Sequence, residues 1–257
     1  MSKSNDRLYS ISTNSMGTKM KLIEYKNARN IIVEFQDDYK YKTCTTYEMF
    51  IKGKVKNPYD RSVYNIGYLG EGKYSSVTHP PLYYSWHDML KRCYDTNERT
   101  RIRYMSYNDC KVDDEFLNLQ KFGEWYEENI YFVDKERMHL DKDILYKGNR
   151  IYCKERCIFV PNRVNVLFTK RQYYRGDCPI GVRYNDSGKY EAYCHIINSK
   201  SFGENKYLGT FDSKIEAFNA YKSYKEKYIK QVADEYIDKI PGKLYDALYN
   251  YKVEIND

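Results

Sequence analysis

The chain has 257 residues, 31% of them charged, and a formal net charge of +7. No apolar run approaches the roughly 20 residues that a membrane helix needs, and no basic-then-apolar leader with a small-residue cleavage site opens the sequence, so neither a membrane span nor an export signal is expected. The positive balance is too slight to argue for a nucleic-acid partner by itself. Tyrosine is the unusual residue, 31 copies against 2 tryptophans, and a low-GC genome would favour its codons. The seven cysteines are odd in number and scattered. Without a leader they read as cytosolic thiols, and a cytoplasmic protein is expected.

Residues 1–18 are polar and aperiodic and read as a mobile tail. A small β module follows over 19–58. Lys21–Tyr25 and Ile31–Phe35 are apolar runs joined by a turn at 26–30, and Tyr39–Thr46 offers a third strand. About forty residues bury too little surface to stand alone. Residues 52–74 are rich in Gly, Asn and Lys and read as turns. Gly67, Gly70 and Gly72 lack the spacing of a phosphate loop, and no Lys-Ser or Lys-Thr pair opens a helix after them. Tyr83–Tyr94 reads as a helix with Trp86, Met89, Leu90 and Cys93 on one face. Phe116–Asn129 reads as a second, with Leu119, Phe122 and Tyr126 in register.

The segment 138–168, MHLDKDILYKGNRIYCKERCIFVPNRVNVLF, carries the first functional signal. It predicts a strand through Leu140–Leu145, a turn at Gly148-Asn149, a return strand at Cys157–Val160 and a helix from Pro161 or Asn162. Strand, loop, strand, helix with converging polar ends is the layout of a ββα metal-dependent nuclease motif. Four cysteines fall in or before this stretch. Cys153 and Cys157 are four apart, with Cys93 and Cys110 upstream, but neither pair has Cys-x-x-Cys spacing. Structural zinc is therefore not the expectation, and buried thiols are.

Residues 169–178 form a basic linker, in which Lys170, Arg171 and Arg175 are candidate phosphate contacts as well as an ordinary hinge. Pro179–Tyr224 then predicts three strands and a helix. Gly181–Tyr184 opens the first strand, Asn185–Gly188 is a turn, Tyr190–Ile197 is the second strand, and Lys206–Phe211 is the third. Ser213 with Glu216 is a capping box. Ala217, Ala220, Tyr221, Tyr224 and Tyr228 share one face of the helix, which the spacing carries as far as Lys239. Period two places Tyr190, Ala192, Cys194 and Ile196 toward that helix. Arg183, Asn185, Tyr193, His195, Asn205 and Tyr207 are left on an uncovered face whose chemistry suits base edges and phosphates. Lys243–Tyr251 predicts a last short helix within 240–257.

The blocks GVRY, GKYEA, YLGTF and EAFNAY, in this order, resemble the apetala/ethylene-response-factor DNA-binding domain. The resemblance implies a sheet in the major groove of duplex DNA, contacting it through Arg183, Asn185, Tyr193, His195, Asn205 and Tyr207. The plant domains favour Arg or Trp at several of these places, so a lighter phosphate grip and a different target are expected. The span 52–168, through YSWHDMLKRCY, LDKDILYKGN and CIFVPNRVN, resembles phage HNH-type proteins. Together they resemble a phage homing-endonuclease-like protein with a C-terminal apetala-type domain. That implies a bacterial or phage-infected cell, a duplex DNA partner and Mg²⁺ or Mn²⁺ for phosphodiester hydrolysis.

By that resemblance His139 is the candidate general base, Asp141 and Asp143 hold the metal, Asn149 sets the turn and Asn165 contributes from the helix. HNH proteins place Asp and His side by side, whereas this chain reads His-Leu-Asp-Lys-Asp. On a regular strand Asp141 and Asp143 share a face, which is costly without a cation between them. Alternatively they pair with Lys142, Lys147 or Arg150 and only hold the turn. The expected fold is α+β and multidomain: an N-terminal β module, a central HNH-like unit (59–168), and an antiparallel three-stranded sheet with a helix (179–239). An active nuclease, a non-catalytic DNA-binding protein on a decayed nuclease fold, and a protein-interaction module stay open as readings.

Overall fold

The structure, a computed structural model, describes residues 7–169, 177–197 and 203–257. These form two compact units, Met1–Glu128 with Ile151–Lys154, and Asn129–Arg150 with Glu155–Asp257. Both are α+β. Lys170, Arg171 and Arg175 lie outside the described residues.

The first unit opens with a four-stranded antiparallel meander, β1 (Ile11–Thr13), β2 (Lys19–Asn27), β3 (Asn30–Phe35) and β4 (Lys42–Thr45). Alternation along β2 and β3 buries Met20, Leu22, Ile31, Val33 and Phe35 against Phe50 and Val55. The part of 1–18 that is described is not a tail. Ile11–Thr13 pairs with Lys19–Lys21, and the buried Asn14 holds the turn through Met16 and Thr18 while donating to Asp60 at 2.7 Å. Polarity misled here, because the polar side chains are spent on backbone groups. The helix α1 (Tyr47–Ile51) is capped by Thr46. In 52–74, Gly70 and its neighbours shape turns, with the Gly70 N–H bonded to Pro58 O at 2.9 Å.

Further on come α2 (Pro80–Tyr94), α3 (Glu98–Arg103), β5 (Lys111–Val112), α4 (Asp114–Leu117) and α5 (Leu119–Asn129). The face Leu82, Trp86, Met89, Leu90 and Cys93 is buried as the spacing required, and Trp86 Nε1 donates to Phe116 O. The predicted helix over 116–129 is two. Asn118 takes an extended conformation, and its Oδ1 accepts from the Gln120 N–H, so it ends α4 and starts α5.

The second unit begins with β6 (Met138–Asp141). The chain next visits the first unit, where β7 (Ile151–Tyr152) pairs in parallel with β5. It returns as β8 (Ile158–Pro161), antiparallel to β6 with His139 opposite Val160 and Asp141 opposite Ile158. The short helix α6 (Asn162–Leu167) follows directly. Strand β6 stops four residues before the expected Leu145. Asp141 Oδ1 accepts the N–H groups of Asp143 and Ile144 at 2.9 and 2.7 Å, which turns the chain out of the ladder.

The remaining strands, β9 (Val182–Tyr184), β10 (Tyr190–Ile196) and β11 (Glu204–Phe211), form an antiparallel sheet in the order β11-β10-β9. The long helix α7 (Lys214–Glu235), started by the Ser213–Glu216 capping box, covers one face. Ala192 and Cys194 lie fully buried against Ala217, Phe218 and Tyr221. The C-terminal half of α7 serves a second core. Tyr228, Ile229, Val232 and Ala233 pack with Ile158, Val160, Val164 and Leu167 of β8 and α6, and with Leu244 and Leu248 of α8 (Gly242–Tyr249). The three-stranded sheet and the ββα layer are thus joined through one helix. Helix α7 ends at Glu235, short of the expected Lys239. Among the described residues, no helix is long and apolar enough to cross a membrane.

Candidate functional site

Two surfaces of the second unit carry the residues singled out in the sequence. The first is the sheet face opposite α7. The ladder places Arg183 beside Glu191, Tyr193 beside Tyr207, and His195 beside Asn205. Side chains directly across an antiparallel pair touch, so the face is three cross-strand pairs. The Tyr193 and Tyr207 rings lie 5.3 Å apart, and the Arg183 guanidinium sits 4.2 Å above the Tyr193 ring. His195 Nδ1 stands 3.1 Å from Asn205 Oδ1, and a Cβ at Gly203 would come within 2.3 Å of the same imidazole, so glycine makes room for it. Arg183, His195, Asn205 and Tyr207 are exposed.

Glu191 organises this face and was not among the expected contacts. Its carboxylate accepts from Arg183 Nε at 2.9 Å, Asn185 Nδ2 at 3.1 Å and Tyr193 OH at 2.9 Å. The hydrogen bond from Asn185, followed by those from Arg183 and Tyr193, holds its pKa below the usual carboxylate range. In return the Arg183 pKa is raised, first by that same bond. Strand parity already put Glu191 on this face. Only the fold decided that it neutralises the arginine there. Asn185 faces a different task. Its Oδ1 accepts from the N–H groups of Ser187 and Lys189, so the amide closes the β9–β10 turn.

The second surface is the ββα layer. Asn149 is buried, donates to Lys142 O at 2.7 Å and accepts from Arg156 Nη1 at 2.7 Å. It pins the excursion between β6 and β8. His139 Nε2 lies 3.0 Å from Asn162 Oδ1. Asn165 is half-buried on α6, and its carbonyl accepts from the Phe168 N–H. Burial, and then the charge of Asp143, push the Asp141 carboxyl up to about 6. Asp143 lies past the end of β6, so the strand parity that would align it with His139 and Asp141 does not extend to it. The buried Lys142 instead reaches Asp143 Oδ2 at 3.1 Å.

A hard divalent ion would look for carboxylate oxygens here. Asp141 offers Oδ2, since both of its turn hydrogen bonds fall on Oδ1. Asp143 already has a cation in Lys142. Among the described residues, no three His, Cys, Asp or Glu side chains come together as a metal-holding group. The pair therefore fits a cation at one carboxylate rather than two. Of the four cysteines, Cys93, Cys110 and Cys153 are buried in the first unit and Cys157 in the second. Arg156 and Asn162 went unnoticed in the sequence because their roles rest on contacts across the loop and the β6–β8 pair. Comparison with family models, with curated proteins and with solved structures finds no match to this chain.

Proposed function

We propose that this chain binds duplex DNA by laying the uncovered face of the β9–β11 sheet into a groove. The observation that carries this reading is the set of cross-strand pairs formed by Arg183, Tyr193, His195, Asn205 and Tyr207 on a face that α7 leaves open. Amide, imidazole and phenol groups match the donors and acceptors of base edges, and the major groove admits a narrow β-ribbon. With Glu191 offsetting Arg183, base and sugar contacts outweigh phosphate attraction at this face. The partner is sought in a bacterial or phage-infected cytoplasm. The test is fluorescence anisotropy of a labelled duplex with the full chain, since a fragment of residues 175–235 would uncover the α7 face that packs on β8, α6 and α8. Saturable binding that weakens as salt rises, and weakens again with Tyr207→Ala, is expected. Absence of binding at low salt, or indifference to salt, would remove the reading.

A second reading is metal-dependent DNA cleavage by the ββα layer. The strand–loop–strand–helix order and the pinning of the loop by Asn149 favour it. In that reading Asp141 holds Mg²⁺ or Mn²⁺, and His139 takes a proton from the attacking water. The Lys142–Asp143 pair favours the non-catalytic version, in which the layer only supports the sheet. Supercoiled plasmid with Mg²⁺ or Mn²⁺ separates the two. Nicking that Asp141→Ala abolishes without loss of binding supports cleavage, and intact plasmid at saturating protein supports the binding-only protein.

A further inference from the structure

The second unit buries a lysine that no counter-charge reaches among the described residues. Lys225, in the middle of α7, is 7% exposed. Among the described residues no carboxylate or other partner bonds its Nζ, and the Tyr228 ring centroid lies 5.9 Å away. Burial holds its pKa below the usual lysine value, with a smaller opposing influence from the adjacent Cys194 thiol, which is itself pushed up by burial. Asp257 borders a void of about 20 Å³ that also touches Lys225, but it is ion-paired to Lys147 at 2.8 Å. The stretches 170–176 and 198–202 contain no Asp or Glu. A buried amine without an acid is costly to charge, and most buried lysines are therefore paired.

Lys225 also lines a cavity of about 320 Å³. The cavity has a cause in the sheet. Strand β9 is only three residues long, and the last bond on that side of β10 runs from the Tyr193 N–H to Gly181 O at 2.7 Å. Gly181 has φ +79° and packs so closely on Tyr221 that a Cβ would stand 2.1 Å from its ring. Beyond it, among the described residues, no strand pairs with that flank of β10. The space is walled by Leu167 of α6, by Ile180 and Val182, and by the rings of Tyr193 and Tyr221, with Lys225 as its buried cation. Arg183, His195 and Asn205 border its outer side, and apolar walls with a few placed polar groups are the usual make-up of a small-molecule site.

We propose that this cavity binds a small organic anion, with a flat apolar body between the Leu167 and Ile180 side chains and a carboxylate-type group paired with Lys225. The anion supplies the charge that the fold withholds, and the walls take the body out of water. Arg183, Tyr193, His195 and Asn205 of the open sheet face also border the cavity, but the probes are titrated without DNA, so failure of this site and failure of the DNA reading are told apart. The test uses the full chain, calorimetric titration and two probes, naphthalene-2-carboxylate and the neutral naphthalene-2-carboxamide. The wild type is expected to bind one carboxylate per chain, at least tenfold tighter than the carboxamide. Lys225→Met, which keeps the stem and removes the charge, should abolish that preference. Ile180→Trp, which fills the cavity and leaves Lys225 in place, should abolish binding of both probes. No saturable carboxylate binding by the wild type, an unchanged preference in Lys225→Met, or retained binding in Ile180→Trp would each overturn the site.

Discussion

Glu191→Gln tests the DNA-binding face at the point where its charge is decided. In the wild type the carboxylate takes hydrogen bonds from Arg183, Asn185 and Tyr193. Glutamine keeps one acceptor oxygen for Asn185 or Tyr193 but loses the charge that holds the guanidinium. Arg183, exposed at the edge strand, then becomes available to one phosphate. Each phosphate neutralised adds about 0.9 to the slope of log affinity against log salt. Between 50 and 200 mM salt the variant should therefore lose about 3.5-fold more affinity than the wild type, while binding more tightly at the lower salt. Anisotropy titrations at four or five salt concentrations give the slope directly. The added slope should vanish when Arg183→Gln is placed in the same chain. An unchanged slope in Glu191→Gln, or an increment that survives Arg183→Gln, would refute the claim that Arg183 is the group released.

Other outcomes follow from the same geometry. Asn149→Ala removes the two hydrogen bonds by which a buried side chain pins the loop and should cost about 1–3 kcal/mol in urea unfolding, with faster amide exchange over 142–150. Ile229→Ala opens a cavity in the core shared by α7, β8 and α6 and should cost about 2–5 kcal/mol, read by the same unfolding assay. Asp141 titrates near 6 in the folded chain, above its unfolded value, so its contribution to stability is greatest below about pH 4 and is lost as pH rises to about 6. With chelator present this loss should amount to about 3 kcal/mol, and Asp141→Asn should flatten that part of the stability–pH curve. A wild-type curve flat over this window would contradict the burial assigned to Asp141.

The local elements were legible where one residue type has one physical use. Ser213 and Glu216 form a capping box in any context, and α7 begins there. Alternation in Tyr190–Ile196 selects two faces before any partner is known, and Ala192 and Cys194 are buried as it demands. The run from 138 to 168 gave the order strand, loop, strand, helix in the same way. Asp141 was harder, because an aspartate can continue a strand or end it. Its bonds to the N–H groups of Asp143 and Ile144 resolve that choice through the local chain. The polar stretch 7–18 went unread for a similar reason, since Asn14 and Thr18 find Asp60 more than forty residues away. What only the tertiary structure decided is which groups neutralise which. Glu191 meeting Arg183, and Lys225 meeting no acid among the described residues, are outcomes of packing, and charge pairing across a fold leaves no period in a sequence. The α+β elements and the open sheet face were thus written locally. The charge carried by that face arises only once β9 pairs with β10, and the cavity around Lys225 only once α6 and α7 are packed on their strands.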